Sequence, residues 1–421
     1  MKQLLLLLFF FSIYVHPQAP TYNETLNKEI VSNTIENSEA TLNKPYVIMV
    51  SIDGFRYDYA EKYGAKNILA LAKNGSSTTR LIPSFPSKTF PNHYTLATGL
   101  YPEHHGIVFN SFYDKSTNKN YGISNRKAVE NGDWYGGIPI WNLAQIQGMC
   151  AASYFWVGSE ADINGMHPKY YYSYNKKTPY EYRVKRVLEW LQLPDLVRPH
   201  MITLYFSLVD TQGHKYGPNS EETKQAVLYV DEQIGALRDQ LKNLNLPVYL
   251  VVTSDHGMSE VSHLININNY VSIDKDQFLA GPVAMIYTKN EEETDMLFNT
   301  LSQQTNFKTY KRANVPNYLN YSDNSRIGDL VLIADAPYTI INSQSSKTKL
   351  NRIQGVHGYD PFENKNMGAI FYIEGPDIKK DYKLPPIENI HIYPLIAHLL
   401  QLKIMNPIDG KLEVTSSVIK K

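Results

Sequence analysis

Val47-Ile48-Met49-Val50-Ser51-Ile52-Asp53-Gly54 is an almost unbroken apolar, β-branched run that stops at an acid and a glycine. A run without alternating polar residues fits a strand buried on both faces, as in a parallel sheet covered by helices. Similar runs occupy residues 149–156, 201–208, 248–253, 283–287, 330–333 and 369–373. Helical patterns lie between several of them, as at residues 182–193 and 221–244. The alternation predicts an α/β fold with a mostly parallel sheet between helices. Ligands of such sheets collect beyond the carboxyl ends of the strands, so a polar residue directly after a buried run is a candidate for function.

Four places meet that condition. Residues 47–52 end in Asp53-Gly54, and residues 201–208 lead to Asp210 and Gly213-His214. Residues 248–253 lead to Asp255-His256-Gly257, and His357 lies between Gly355 and Gly358. Taken singly, Asp53-Gly54 also fits a turn and Asp210 with His214 a loop hydrogen bond. Taken together, three carboxylates and three imidazoles at one edge would repel and be poorly solvated without a cation. Mixed Asp and His ligation suits zinc better than magnesium or calcium. Six protein groups exceed one tetrahedral site, so two metals are expected.

A nucleophile is sought in the proline-punctuated stretch Pro83-Ser84-Phe85-Pro86-Ser87-Lys88-Thr89-Phe90-Pro91-Asn92-His93. A helical pattern resumes over residues 94–100, which places Thr89 just before a helix start, where backbone N–H groups favour anions. On local grounds alone Thr89 fits a simple cap better than a nucleophile. A zinc bound to its oxygen would lower its pKa and aim the alkoxide.

The whole chain sets broader limits. With 421 residues and 43% hydrophobic content it can bury a full core. Lys plus Arg equals Asp plus Glu at 41 each, so no net field recruits nucleic acid or anionic membrane. Neither a stable nucleic-acid complex, nor obligate membrane association, nor a protein partner is expected. Lys2 and the apolar run over residues 4–15 read as an export signal ending near Ala19, with an uncleaved anchor as the alternative. The expected organisation is a signal peptide over 1–19, a flexible polar leader over 20–43, a catalytic domain over 44–405 and a tail over 406–421. Residues 264–341 carry their own strands and a helix near 291–304, which suggests an inserted α+β subdomain. The single cysteine, Cys150, excludes an internal disulfide, as is ordinary for an exported bacterial protein, periplasmic or secreted.

Val-Ser-Ile-Asp-Gly-Phe-Arg from Val50, Lys-Thr-Phe-Pro-Asn-His from Lys88 and Ser-Asp-His-Gly-Met from Ser254 together resemble the nucleotide pyrophosphatase/phosphodiesterase family. This is the type I phosphodiesterase family of the alkaline phosphatase superfamily. The resemblance continues through Asp-Thr-Gln-Gly-His from Asp210 and Gly-Val-His-Gly-Tyr from Gly355, and spans roughly residues 44–403. It implies an alkaline-phosphatase-like core with two zinc ions. One would rest on Asp210, His214 and His357, the other on Asp53, Thr89, Asp255 and His256. Asn110 matches an asparagine that donates to a non-bridging phosphate oxygen. Phe90 and Tyr174 match aromatic positions that sandwich a nucleotide base, and Lys88 is a further substrate-binding candidate. The chain reads as the catalytic domain without the cysteine-rich modules or nuclease-like domain of animal members.

The resemblance implies hydrolysis of phosphodiester and phosphoanhydride bonds of a small nucleotide substrate, releasing a nucleoside 5′-monophosphate through a covalent Thr89 intermediate. Neutral Asn110, where a monoesterase would place a cation, favours diesters. The alternatives are a choline phospholipid headgroup phosphodiesterase, a phosphomonoesterase, and a catalytically silent binding module. A sulfatase needs a cysteine or serine at the position of Thr89.

Overall fold

Nine strands form the main sheet of the protein, for which a computed structural model describes residues 27–342 and 354–420. Its first seven strands in chain order are β1 (Ile30–Val31), β2 (Tyr46–Ile52), β3 (Ser76–Thr78), β4 (Ala151–Tyr154), β5 (Tyr170–Tyr172), β6 (Met201–Phe206) and β7 (Val248–Thr253). A separate four-stranded sheet holds β8 (Phe278–Leu279), β9 (Val283–Ile286), β10 (Phe307–Lys311) and β11 (Leu330–Ala334). The chain then returns to the main sheet as β12 (Phe371–Glu374) and β13 (Tyr382–Leu384). The main sheet runs in the order β1-β5-β4-β6-β2-β7-β12-β3-β13.

The five strands from β5 to β7 are mutually parallel and put β2 near the middle, with all seven of its residues buried. That is why β2 reads as a continuous apolar run. Its side chains divide by alternation: Val47 and Met49 enter one core, Ile48, Val50 and Ile52 the other. The first core is shared with helices Thr89–Thr98, Ile140–Ile146 and Ile392–Leu399, the second with Lys66–Asn74, Tyr180–Trp190 and Glu221–Leu241. Each buried Val, Ile or Leu is worth about 1.5–3 kcal/mol, so a one-residue slip of β2 would exchange its two faces between differently shaped cores. The α/β class expected from sequence is the architecture found.

Three strands differ from the parallel direction expected of them. The run at 369–373 forms β12, which pairs antiparallel with β7 and β3, so this end of the sheet is mixed. The runs at 283–287 and 330–333 become β9 and β11, antiparallel neighbours in the smaller sheet. A strand buried on both faces has the same apolar pattern whichever way it runs, so direction was not legible. The smaller sheet turns Val283, Met285, Val331 and Ile333 toward the first main core. Its other face, with Ala284, Ile286, Leu330 and Leu332, packs on Leu297 and Leu301 of helix Glu291–Leu301.

The signal-peptide reading of residues 1–19 lies outside the described residues. From Asn27 on, the polar segment expected as a flexible leader is docked instead. Ile30–Val31 pairs with Tyr170–Tyr171 as the antiparallel edge of the sheet. Asn37 is buried, donating through Nδ2 to the carbonyls of Asp195 and Arg198 and accepting from the Cys150 N–H. A polar side chain saturated with backbone partners holds a segment as firmly as an apolar one, and composition alone hides this. The final residues are anchored similarly: Val418 is buried, and Ile419 bridges to Ile378. Among the described residues no helix is long and apolar enough to cross a membrane.

Candidate metal and phosphoryl-transfer site

Asp53 follows β2 directly, and Asp255 and His256 lie just beyond its neighbour β7. Thr89 opens helix α1 (Thr89–Thr98), five residues earlier than the expected restart at residue 94. Pro91 lies in the first turn, where a missing N–H interrupts no helical bond, so the proline did not exclude helix as its position suggested. The strand expected to reach residue 208 stops at Phe206, and Asp210 and His214 ride on helix α2 (Leu208–Tyr216). Their spacing of four puts them on one helical face.

Gly54 makes the turn after β2 possible. Its φ is +69°, and a Cβ there would lie 2.8 Å from the Asp210 Cα. The close approach lets the Asp210 N–H donate to the Asp53 carbonyl at 3.0 Å, while the Gly54 N–H donates to Asp255 Oδ1 at 3.1 Å.

Two groups of ligand atoms result. Asp53, Asp255 and His256 offer atoms within 4.8 Å of one another, as do Asp210, His214 and His357. The rings of His256 and His357 stack between the groups at 3.6 Å. Each imidazole has its Nδ1 on a backbone carbonyl: His256 on Gly257, His357 on Ser87 and His214 on Gly355, at 2.8–2.9 Å. A carbonyl only accepts, so the proton sits on Nδ1 and the Nε2 lone pair faces inward, the arrangement of metal-binding histidines. Asp53 Oδ1, Asp210 Oδ1 and Asp255 Oδ2 are buried without a hydrogen-bond donor. Each orphaned carboxylate oxygen costs at least about 1–3 kcal/mol, so three converging ones fit a site built for divalent cations.

The electrostatics of the protein residues agree. Burial, reinforced by Asp255 and Asp210, pushes the Asp53 carboxyl well above its ordinary range. Burial pushes Asp255 the same way, but His256 and His93 outweigh it and hold Asp255 well below. Burial lowers His256, and Asp255 more than reverses this. Burial, then the neighbouring His256 and Lys88, drives His357 well below the usual imidazole range. Burial, with Asp255 and Asp210 beside it, favours the protonated form of Asp53, and a bound metal would favour the carboxylate instead.

Thr89 Oγ1 lies 3.2 Å from His256 Nε2, beside the buried group. Asn92, on the same helix turn, donates through Nδ2 to the carbonyls of Ser84, Pro86 and Lys88 and stiffens the preceding loop. Asn110 accepts the Phe90 N–H through Oδ1 at 2.9 Å. That contact commits the amide oxygen and makes its NH2 the outward donor. A cavity of about 240 Å3 opens above these groups, lined by Asp53, Asp210, Thr89, Phe90, Tyr174 and Tyr205. Phe90 and Tyr174 thus share one cavity. Lys88 points elsewhere: its Nζ donates to the His357 carbonyl at 2.8 Å, over the Phe109 ring. Burial, opposed by Asp210, lowers its pKa to about 8. Lys88 braces the His357 loop in this structure rather than facing the cavity, a difference from the substrate contact expected of it.

Two supporting residues escaped the sequence reading. Tyr205, on β6, donates its hydroxyl to Asp53 Oδ2. His93 is buried between Thr89 and Asp255. The signal for His93 was its spacing of four from Thr89 on a helix; one tyrosine among 32 gave none for Tyr205.

Carboxylates and imidazoles from strand ends and from helix α2, gathered before a helix-start threonine, define a metal-site architecture on an alkaline-phosphatase-like α/β fold. The chain belongs to the type I phosphodiesterase/nucleotide pyrophosphatase family, whose profile matches residues 47–360. Venom phosphodiesterase 2 of Crotalus adamanteus is 39% identical over 395 residues, covering 90% of this chain and 48% of that one. Human ectonucleotide pyrophosphatase/phosphodiesterase family member 1 is 36% identical over 379 residues, covering 86% and 40% respectively. The chain therefore spans about half the length of the curated relatives it matches. Murine ectonucleotide pyrophosphatase/phosphodiesterase 5, solved as an inactive threonine-to-alanine variant with AMP, superposes with a TM-score of 0.83 at 31% identity. That match covers 90% of this chain and all of the other.

Proposed function

We propose that the protein hydrolyses phosphodiester and phosphoanhydride bonds of nucleotides, releasing a nucleoside 5′-monophosphate through a covalent intermediate on Thr89. The observation that carries this reading is the convergence of Thr89 Oγ1, both ligand groups and the Phe90–Tyr174 cavity at one strand edge. The inactive threonine variant of the murine relative with bound AMP supports both the nucleophile and the nucleotide.

Asp210, His214 and His357 would hold one zinc ion, and Asp53, Thr89, Asp255 and His256 the other. When bound, the two ions supply the positive charge that lowers the Thr89 hydroxyl pKa and offsets that of the phosphoryl oxygens. Thr89 Oγ forms the new bond to phosphorus as the bond to the leaving oxygen breaks. Water then attacks phosphorus and returns Thr89 to its hydroxyl. The Asn110 NH2 donates to a non-bridging oxygen, while Phe90 and Tyr174 take the base between them. Stacking of that kind tolerates any base.

The test compares nitrophenyl thymidine monophosphate with nitrophenyl phosphorylcholine and nitrophenyl phosphate. The nucleotide diester is expected to be the preferred substrate, and Thr89→Ala to lose on the order of 10⁴-fold in kcat while still binding metal. Preference for the choline ester would replace the nucleotide by a lipid headgroup, and preference for nitrophenyl phosphate would make the protein a monoesterase. Export belongs to the same proposal: it rests on Lys2 and the apolar run over residues 4–15, and on venom relatives.

A further inference from the structure

His93, on the helix that Thr89 opens, touches a metal-ligand candidate and the central strand together. It is fully buried. Its Nδ1 lies 2.9 Å from the Thr89 carbonyl oxygen and 3.3 Å from Asp255 Oδ2. The Thr89 carbonyl only accepts, so Nδ1 carries the proton and donates it there, with Asp255 Oδ2 facing the same edge of the ring. Its Nε2 lies 2.8 Å from the hydroxyl of Ser51, the residue two before Asp53. With the proton on Nδ1, Nε2 is an acceptor and Ser51 donates to it.

The ring has little freedom to turn. Trp156 and Tyr205 meet it edge to face, at 5.3 Å and 5.2 Å between ring centres. The Trp156 Nε1–H also donates to the His93 carbonyl at 3.0 Å, fixing the backbone from which the ring projects. Tyr205 in turn donates to Asp53. A helical histidine thus ties the first turn of α1 to Asp255 through one edge and to β2 through the other.

On the reading given above, we propose that His93 is a positioning residue: its Nδ1–H sets the register of Thr89 against Asp255, and Ser51 holds the tautomer that allows it. The physical reason for such a device is that Thr89 lies on a helix and Asp255 on a strand end. Among the described residues no backbone hydrogen bond joins these elements, and a displacement of about 1 Å at a reacting atom costs on the order of 100-fold in rate.

The two polar edges of the ring are separable by substitution. Asparagine places an amide N–H near the position of Nδ1, whereas glutamine reaches toward the position of Nε2. In the metal-loaded protein, His93→Asn is expected to keep kcat within about 10-fold of wild type. His93→Gln and His93→Ala are expected to lose roughly 100-fold in kcat, with KM changed less than about 3-fold. A second readout is metal retained per chain after timed dialysis against a chelator. His93→Gln and His93→Ala should release one equivalent faster than wild type, and His93→Asn should not. Equal kcat in all three variants, a loss confined to KM, or unchanged metal release would overturn the assignment. If the His93 variants do not fold, Ser51→Ala carries the test, because it keeps the ring and removes the group fixing its tautomer. Wild-type kcat and metal retention in Ser51→Ala would likewise overturn it. A wild type that cleaves no nitrophenyl nucleotide diester would defeat the functional reading instead, and the metal-release comparison would still decide the role of His93.

Discussion

Asp53, Asp255 and His256 lie wholly inside the protein, whereas in the second ligand group the Asp210 and His214 side chains keep 18% and 39% of their surface open. The buried group is wired to the fold by Tyr205, His93 and the Gly54 N–H. The half-open group hangs on one helix and one loop, braced by Lys88 and by the carbonyls behind its histidines. The difference separates two tasks. Thr89, the proposed nucleophile, sits against the buried group, where geometry must be fixed, while the half-open group, whose Asp210 lines the cavity beside Asp53 and Thr89, keeps side-chain surface open to solvent.

Metal removal is the strongest way to break this comparison. From the fully loaded protein, a chelator is expected to release one equivalent quickly and the second slowly, with activity falling about 100-fold in the fast phase. His214→Ala should abolish the fast phase and leave the slow one. Metal assay and turnover on the same aliquots measure both. Release in a single phase would show that the two groups are held alike.

The second way acts on the turn that joins the groups. In Gly54→Ala the new methyl meets the Asp210 backbone at 2.8 Å in a left-handed conformation. Strain of about 1–2 kcal/mol and overpacking of about 1–3 kcal/mol should together lower stability by about 3 kcal/mol. Gly64 has nearly the same φ, +72°, with nothing within 4 Å of a Cβ, so Gly64→Ala isolates the strain. Urea midpoints of the two variants without metal give the difference. Equal losses would mean that the contact between the Asp53 turn and α2 is softer than the distances require.

How much of this could be read beforehand depended on whether chemistry or geometry carried the signal. Asp53, Asp255 and His256 were legible because each follows a run that is buried on both faces, and Asp210 with His214 because their spacing survives the exchange of loop for helix. The direction of β12 was not legible, since its apolar pattern is the same either way. The docking of residues 27–43 was hidden because Asn37 holds by hydrogen bonds rather than by apolar surface. The start of α1 was obscured by Pro91, whose cost in a helix vanishes in the first turn. His93 lay inside a quoted motif, but its partners are far apart in sequence, and only the packed fold shows that one ring serves Thr89, Asp255 and Ser51 together.

The smallest expected effect is a pH slope confined to the metal-free protein. Burial, then Asp255 and Asp210, raises the Asp53 carboxyl well above its ordinary value, so the folded chain keeps a proton that the unfolded chain has already released. Stability from this group is therefore complete below about pH 4 and is lost as pH rises through the folded-state value. Asp255 has the opposite sign: its depressed carboxyl stabilises the fold above the unfolded value and withdraws that contribution only as pH falls below it. Above about pH 5 Asp255 is ionised in both states and adds no slope. His256, which burial lowers but Asp255 raises overall, declines with pH as Asp53 does, while His357 and His105, lowered by burial, gain stability as pH rises. The Asp53 contribution is therefore read by difference. Without metal, the midpoint of Asp53→Asn relative to wild type should rise between about pH 5 and pH 8, because only the wild type loses the Asp53 contribution there. Asp210→Asn removes only one of the charges acting on Asp53, so it should reduce the slope without abolishing it. Restoring metal to the wild type should reverse the trend, because ligation requires the carboxylate and binding strengthens as its proton leaves. A difference between Asp53→Asn and wild type that stays constant with pH in the absence of metal would mean that Asp53 does not keep its proton, and that the buried group is less strained than its converging oxygens indicate.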